Sequence, residues 1–352
     1  MGADCFLVLG YDRLTIYKSD ILNSMLLYNF ESFAPTLAEI SGKMQISNSV
    51  SFVTFLLLAS AAAQLQYQPT TSKYGKLKFQ YIGNVTRATF NNPPINLVDT
   101  PFVLDLFDFM QGLQPAPNKT TPKVVIFDSD NPEWFLGHYD LNNIVLPLTE
   151  TKSDVFNKII ACTRYILNTT TTAFIAEING RAVGLGQELS IQMDMRFAGP
   201  KALASSFEDS LGLTAAAGGQ PFLGPTIGKG RAMEYLLGAK AFDGPTGERL
   251  GLFNTYYDSA DKLRSEVSAL ADRIALFPQH SISDTKLTLG LLNPTVQSLD
   301  DQIARFLPLM NLPEEQKTIA KFIEVSGNET ASQFELDLPE SSVQAVKDGV
   351  YL

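Results

Sequence analysis

The chain has 352 residues, 45% of them apolar, and a formal charge of −10. That length and apolar content can bury a sizeable core in one large domain, while the acidic balance, without clustered Lys and Arg, argues against a nucleic-acid surface. No internal repeat, Ser/His/Asp order, zinc-ligand spacing or phosphate loop stands out, which argues against a protease, a metalloenzyme or a nucleotidase.

The most apolar run is MQISNSVSFVTFLLLASAAAQLQ, beginning at Met44. Residues 50–58 followed by Ala61, Ala62 and Ala63 have the form of a signal-peptide core with a small-residue cleavage site, too short for a comfortable membrane span. On that reading residues 1–43 are a gene-model artefact ahead of a signal segment at 44–63. The mature chain then starts near Gln64, is secreted and has no membrane segment. The alternatives are a buried helix in the N-terminal extension of an intracellular protein and a segment that directs the protein to another organelle. Four Asn-x-Thr sites, at Asn84, Asn118, Asn168 and Asn328, fall in turn- or loop-like contexts and are candidate glycosylation sites. Cleavage after Ala63 removes Cys5 and leaves Cys162 alone, expected on the buried side of a helix.

Further on, LKFQYIGNVTRATF alternates around an Asn-containing turn and predicts a β-hairpin. Asp99 and Thr100 start a helix with Leu104, Phe107 and Met110 at helical spacing. A Pro-rich loop leads to a strand at 124–127, and an amphipathic helix follows at 152–167, carrying Phe156, Ile159, Ile160 and Ile166. Next comes an all-apolar strand at 173–178 running into a Gly-rich turn, which opens a helix carrying Glu188; a second carboxylate, Glu208, follows a short extended segment. Backbone amides and carboxylates converging near a helix N-terminus suit a developing anion beside acid/base groups. Residues 259–292 are helical by pattern, with the break expected at Pro294; two short helices follow, and the polar tail beyond Ser326 is expected to be loose.

The run INGRAVGLGQELSIQMDMRFA resembles the signature of the enoyl-CoA hydratase/isomerase (crotonase) family. ASSFEDSLGLTAAAGG is similar to that family's next block, EWFLGHYDL to its Phe-x-Ala-Gly-Ala-Asp-Ile stretch, and NNPPINL, with Asn96, to the step into its first helix. The resemblance covers roughly 74–291. It implies a β/β/α spiral, with a crotonase-like core over 74–258 and a C-terminal helical region over 259–352 that makes trimer contacts and helps to cover the ligand, so a homotrimer or hexamer is expected.

It also implies an acyl-CoA substrate, with CoA arriving as part of the substrate and no separate cofactor or metal. Carried over by position, the backbone amides of Tyr139 and Leu185 form the oxyanion hole, Glu188 activates water, and Glu208 handles the proton at the α-carbon. The most direct activity is 2-enoyl-CoA hydratase. An isomerase, or a secreted relative that no longer processes acyl-CoA, is the alternative. The sequence departs from the family where Leu185 replaces the middle glycine and His138-Tyr139 replaces Gly-Ala. Asp140 reads as a helix cap, and His138 as either a proton carrier or a structural hydrogen bonder. Ala216 stands where dienoyl-CoA isomerases carry a second acid, and Lys286 lies near a family lysine, with CoA contacts otherwise unassigned.

Overall fold

The computed structural model describes residues 5–9, 14–18, 70–116, 120–330 and 332–351. Two units are defined by chain contacts, Met1–Gln68 and Pro69–Leu352. In the first, β1 (Cys5–Leu9) and β2 (Leu14–Lys18) pair antiparallel. The signal-like run at 44–63 lies outside the described residues, as does Asn118.

In the second unit the predicted hairpin forms from β4 (Leu77–Ile82) and β5 (Val85–Phe90), with Ile82 opposite Val85 across a two-residue turn. Two-residue turns fix the hairpin register, which puts Leu77, Phe79, Ala88 and Phe90 into the core. Beside β5 run β6 (Val124–Ser129), β8 (Ala173–Ile178), β10 (Met195–Ala198) and β13 (Thr255–Tyr256), all parallel. With β3 (Thr70–Thr71) on the hairpin side they make seven strands in the order β13-β10-β8-β6-β5-β4-β3.

A second sheet has the order β12-β11-β9-β7, from β7 (Trp134–Leu136), β9 (Arg181–Val183), β11 (Leu203–Ser205) and β12 (Ala241–Asp243). The chain enters the large sheet at β6, β8 and β10 and steps each time to the small sheet at β7, β9 and β11. That alternation is the spiral, and it brings the segments after β7, β9 and β11 to one place.

Every residue of β8 is buried, as a central parallel strand covered on both faces requires. One face packs on α1 (Thr100–Gly112) and α2 (Glu150–Asn168), the other on α7 (Ala260–Ala275). Asp99 caps α1 by accepting from the Phe102 N–H at 2.9 Å. In α2, Val155, Ile159, Cys162 and Ile166 recur every three or four residues and are all buried, which places Cys162 as expected.

Two expectations about the C-terminal region are corrected. The stretch at 259–292 is two helices, α7 and α8 (Gln279–Gly290), because Pro278 has no N–H for a continuing helix and begins a new one instead. The tail beyond Ser326 is folded. After α9 (Val296–Met310) and α10 (Pro313–Val325) come α11 (Gln333–Leu336) and α12 (Leu338–Lys347), with Leu338, Ala345 and Tyr351 buried in a cluster that includes Phe207 and Phe322. Among the described residues no helix is long and apolar enough to cross a membrane.

Candidate active site

The site starts from β7 and its following loop. Asn96 is fully buried and donates its side-chain amide to the Ser129 hydroxyl (2.8 Å) and to the Trp134 and Phe135 carbonyls (3.2 and 3.0 Å), while its own carbonyl accepts from Gly137 N–H at 3.0 Å. These bonds hold the path into Gly137-His138-Tyr139-Asp140. Asp140 caps the short 3-10 turn Leu141–Asn143, accepting from Asn142 N–H at 2.9 Å.

From β9 the chain turns through Gly184 into α3 (Leu185–Ile191). Gly184 has φ +54°, and a Cβ on it would lie 3.0 Å from both Glu208 Oε1 and the His138 Cβ. On Gly186 a Cβ would come within 2.1 Å of the Leu136 carbonyl oxygen, so no side chain fits. Leu185, between them, can carry one. The first N–H groups of a helix have no intrahelical acceptor, and among the described residues neither the Leu185 N–H nor the Tyr139 N–H has an intramolecular partner.

Glu188, one turn into α3, is buried. Its Oε1 accepts from the Ala217 and Gly219 N–H groups at 2.8 and 2.9 Å, at the start of α4 (Gly219–Ile227), where the helix dipole favours a negative charge. Glu208 opens the 3-10 turn Glu208–Leu211 after β11, and its Oε2 is shut from solvent with no hydrogen-bond partner. Burial pushes the Glu208 carboxyl up to about 7. Burial first, and then the charge of Glu208, pushes Glu188 well above the usual carboxylate range against the pull of its two amides. The pair therefore retains a proton at neutral pH, and the amides favour leaving the charge on Glu188.

Glu188, Glu208, His138, Tyr139 and Leu185 line one cavity of about 70 Å³ whose other walls are apolar, including Leu213, Ala216, Phe156 on α2 and Phe306 on α9. The Phe156 and Phe306 rings stack at 6.1 Å, and Tyr139 meets Phe156 edge-on at 6.2 Å. All four predicted site residues thus meet, and the structure adds the Phe306 wall. His138 is buried, with Nδ1 2.9 Å from the Tyr139 carbonyl and Nε2 3.3 Å from Glu335. Glu335 and Glu329, buried beside the loop, were missed because they lie in the polar tail. Lys286 is turned inward, donating to the Thr172 carbonyl and Asp194, each at 2.7 Å.

One pH effect on stability follows from Glu208. Its folded value is raised, so between about 4.5 and 7 the folded chain holds a proton that the unfolded chain has released, and stability falls as pH rises through that window. Glu208→Gln is expected to melt higher than the wild type at pH 8, by a margin on the order of 1–3 kcal/mol. The margin should vanish near pH 4.5, which calorimetry across the range checks.

Two backbone amides without an intramolecular acceptor, on residues that line an apolar cavity, stand beside two carboxylates with raised proton affinity, an arrangement that suits an oxyanion next to proton-transfer groups. The sequence profile of the enoyl-CoA hydratase/isomerase family matches residues 81–324, and the chain belongs to that family. Among curated proteins it is similar to a probable mitochondrial enoyl-CoA hydratase of Dictyostelium discoideum, 30% identical over 136 residues, covering 39% of this chain and 49% of that one. A mitochondrial Delta(3,5)-Delta(2,4)-dienoyl-CoA isomerase of the same organism is 34% identical over 116 residues, covering 33% and 40%. The chain spans about half the length, or less, of several of the curated relatives it matches. Among solved structures, a candidate enoyl-CoA hydratase from Streptomyces avermitilis aligns with TM-score 0.70 at 27% identity, over 78% of this chain and 98% of that one. An enoyl-CoA hydratase from Bacillus halodurans, 20% identical with TM-score 0.62 over 70% and 99%, shares the crotonase fold.

Proposed function

We propose that the protein acts on an acyl-CoA thioester as a 2-enoyl-CoA hydratase. The observation that carries this reading is the convergence of Glu188, Glu208 and the free N–H groups of Tyr139 and Leu185 on one cavity. Ionised Glu188 takes a proton from water as the hydroxide oxygen bonds to the β-carbon. The electron pair of the double bond moves to the thioester oxygen, where the two N–H groups hold the enolate. Protonated Glu208 then delivers its proton to the α-carbon, so one water has been added. Glu188 ends protonated and Glu208 ionised, and return of one proton between them resets the site. CoA enters and leaves as part of the substrate, and no separate cofactor takes part.

An isomerase is the second reading, favoured by the likeness to the dienoyl-CoA isomerase. Ala216 in the cavity wall offers no second acid for dienoyl chemistry, which supports hydration. The small cavity and the bulk of Tyr139 and Leu185 support the remaining alternative, a relative that no longer processes acyl-CoA. Loss of enoyl-thioester absorbance with crotonyl-CoA and longer substrates tests the first two readings. No turnover at any length would favour the third.

Two further readings complete the proposal. Leu276, Leu287, Leu289, Leu291 and Leu292, on and beside α8, are exposed apolar side chains that a trimer or hexamer would cover, so light scattering should return the mass of three or six chains. The chain enters the secretory pathway by its 44–63 segment and carries glycans. Support comes from the exposure of Asn168 and Asn328 and the partial exposure of Asn84 at its hairpin turn. N-terminal sequencing of native protein with and without glycosidase decides this; an unmodified chain that still contains Ser47 to Ala63 restores the intracellular reading.

A further inference from the structure

The segment beyond residue 325 reaches the site from outside the spiral, and it carries two carboxylates that are out of water, Glu329 at 2% exposure and Glu335 at 0%. A carboxylate is buried only where donors or a cation hold it. Here the loop that bears Tyr139 supplies them. Glu329 accepts from the Leu141 N–H at 2.8 Å and from the Asn142 side-chain amide at 3.0 Å, and its Oε1 lies 3.7 Å from His138 Nδ1. Glu335 faces His138 Nε2 at 3.3 Å.

The two peptide units that flank Tyr139 carry four polar groups. The His138 carbonyl accepts from the Val98 N–H at 3.0 Å, and the Asp140 N–H donates to the Val98 carbonyl at 3.2 Å. The Tyr139 carbonyl lies 2.9 Å from His138 Nδ1. The fourth group, the Tyr139 N–H, is the one left for a ligand. His138 therefore completes the set of bonds that fixes both peptide planes and so the direction of that N–H. A ring that donates to a carbonyl through one nitrogen and to a carboxylate through the other is the imidazolium form.

We propose that His138 is a positioning residue for the Tyr139 amide, held by Glu329 and Glu335, so that the C-terminal segment is a working part of the anion site. The inference rests on the reading of the Tyr139 N–H as the enolate donor. Burial alone would lower the His138 value, but Glu335 and then Glu329 outweigh it and raise the ring to about 9. Burial pushes the Glu329 carboxyl itself up to about 8, against the pull of His138 and with a further push from Asp140, so Glu335 is the main partner of the ring. Glu208 from the turn after β11 also acts on the ring, Asp140 acts on Glu329 beside it, and Phe207 and Phe322 meet the ring in T-shaped contacts at 5.4 and 5.6 Å.

The full chain has two histidines, so ring titration by NMR is assigned with a His280→Gln control. His138 is expected to titrate near 9, and lower in Glu335→Gln. In that variant kcat should fall roughly tenfold or more. KM should stay within about threefold. Glu335→Asp should restore part of the titration and of kcat. Should Glu335→Gln not fold, Glu329→Gln is read the same way. A His138 titration indifferent to either carboxylate, or a shifted titration with unchanged kcat, would overturn the proposal. If the wild type turns over no acyl-CoA, the functional reading fails on its own. Acetoacetyl-CoA, whose enolate seeks the same donors, is then the probe: weakened binding in Glu335→Gln supports the positioning role, and unchanged binding overturns it.

Discussion

Glu188→Gln is expected to lower kcat for hydration of a short 2-enoyl-CoA by about 10²–10⁴-fold with little change in KM, the range that a positioned general base contributes. The substitution suits the site because the glutamine oxygen can still accept from the Ala217 and Gly219 N–H groups that now hold Glu188 Oε1. What is lost is the capacity to take a proton from water. Glu208→Gln should be comparably slow, for the opposite reason that no proton reaches the α-carbon. Steady-state kinetics on both variants checks this; a Glu188→Gln enzyme within about tenfold of the wild type would remove Glu188 from the base role.

Leu185→Pro is expected to cost about 10²–10³-fold in kcat/KM, the loss seen when one anion-hole donor is deleted. Proline removes the N–H together with the leucine side chain, and Leu185→Ala controls for the side chain. Leu185 is the first residue of α3, where proline is well tolerated, and Gly184 before it has no Cβ to meet the ring. Leu185→Ala keeps the N–H and shortens the side chain, so it should stay close to the wild type on short substrates and accept longer ones better. Equal losses in Leu185→Pro and Leu185→Ala would mean that the side chain, rather than the amide, matters.

Much of this arrangement is legible along the chain because it is local. The strand at 173–178, the glycines at 184 and 186 and the carboxylate at 188 follow one another within a single strand-turn-helix unit. Periodicity likewise marks the helix that buries Cys162 and the hairpin around Asn84. What escapes is long-range. Glu335 meets His138 across 197 residues, and a tail rich in charge and serine reads as solvated until its two buried carboxylates are seen against a histidine. The break at Pro278 is hidden because apolar spacing continues on both sides of it, and only the structure shows the proline as the N-cap of α8. Cavity size depends on Phe156 and Phe306, which stack from helices far apart in sequence.

On the proposed reaction, paired carboxylates add water across the double bond of an enoyl thioester while two backbone amides hold the enolate. Its most direct measurement is turnover of crotonyl-CoA in deuterium oxide enriched in oxygen-18, with the product read by mass spectrometry. One deuterium at the α-carbon and one heavy oxygen at the β-carbon, both formed about 10²–10⁴-fold more slowly with Glu188→Gln, is the predicted result. Deuterium entering without heavy oxygen, or a substrate recovered unlabelled, would contradict it.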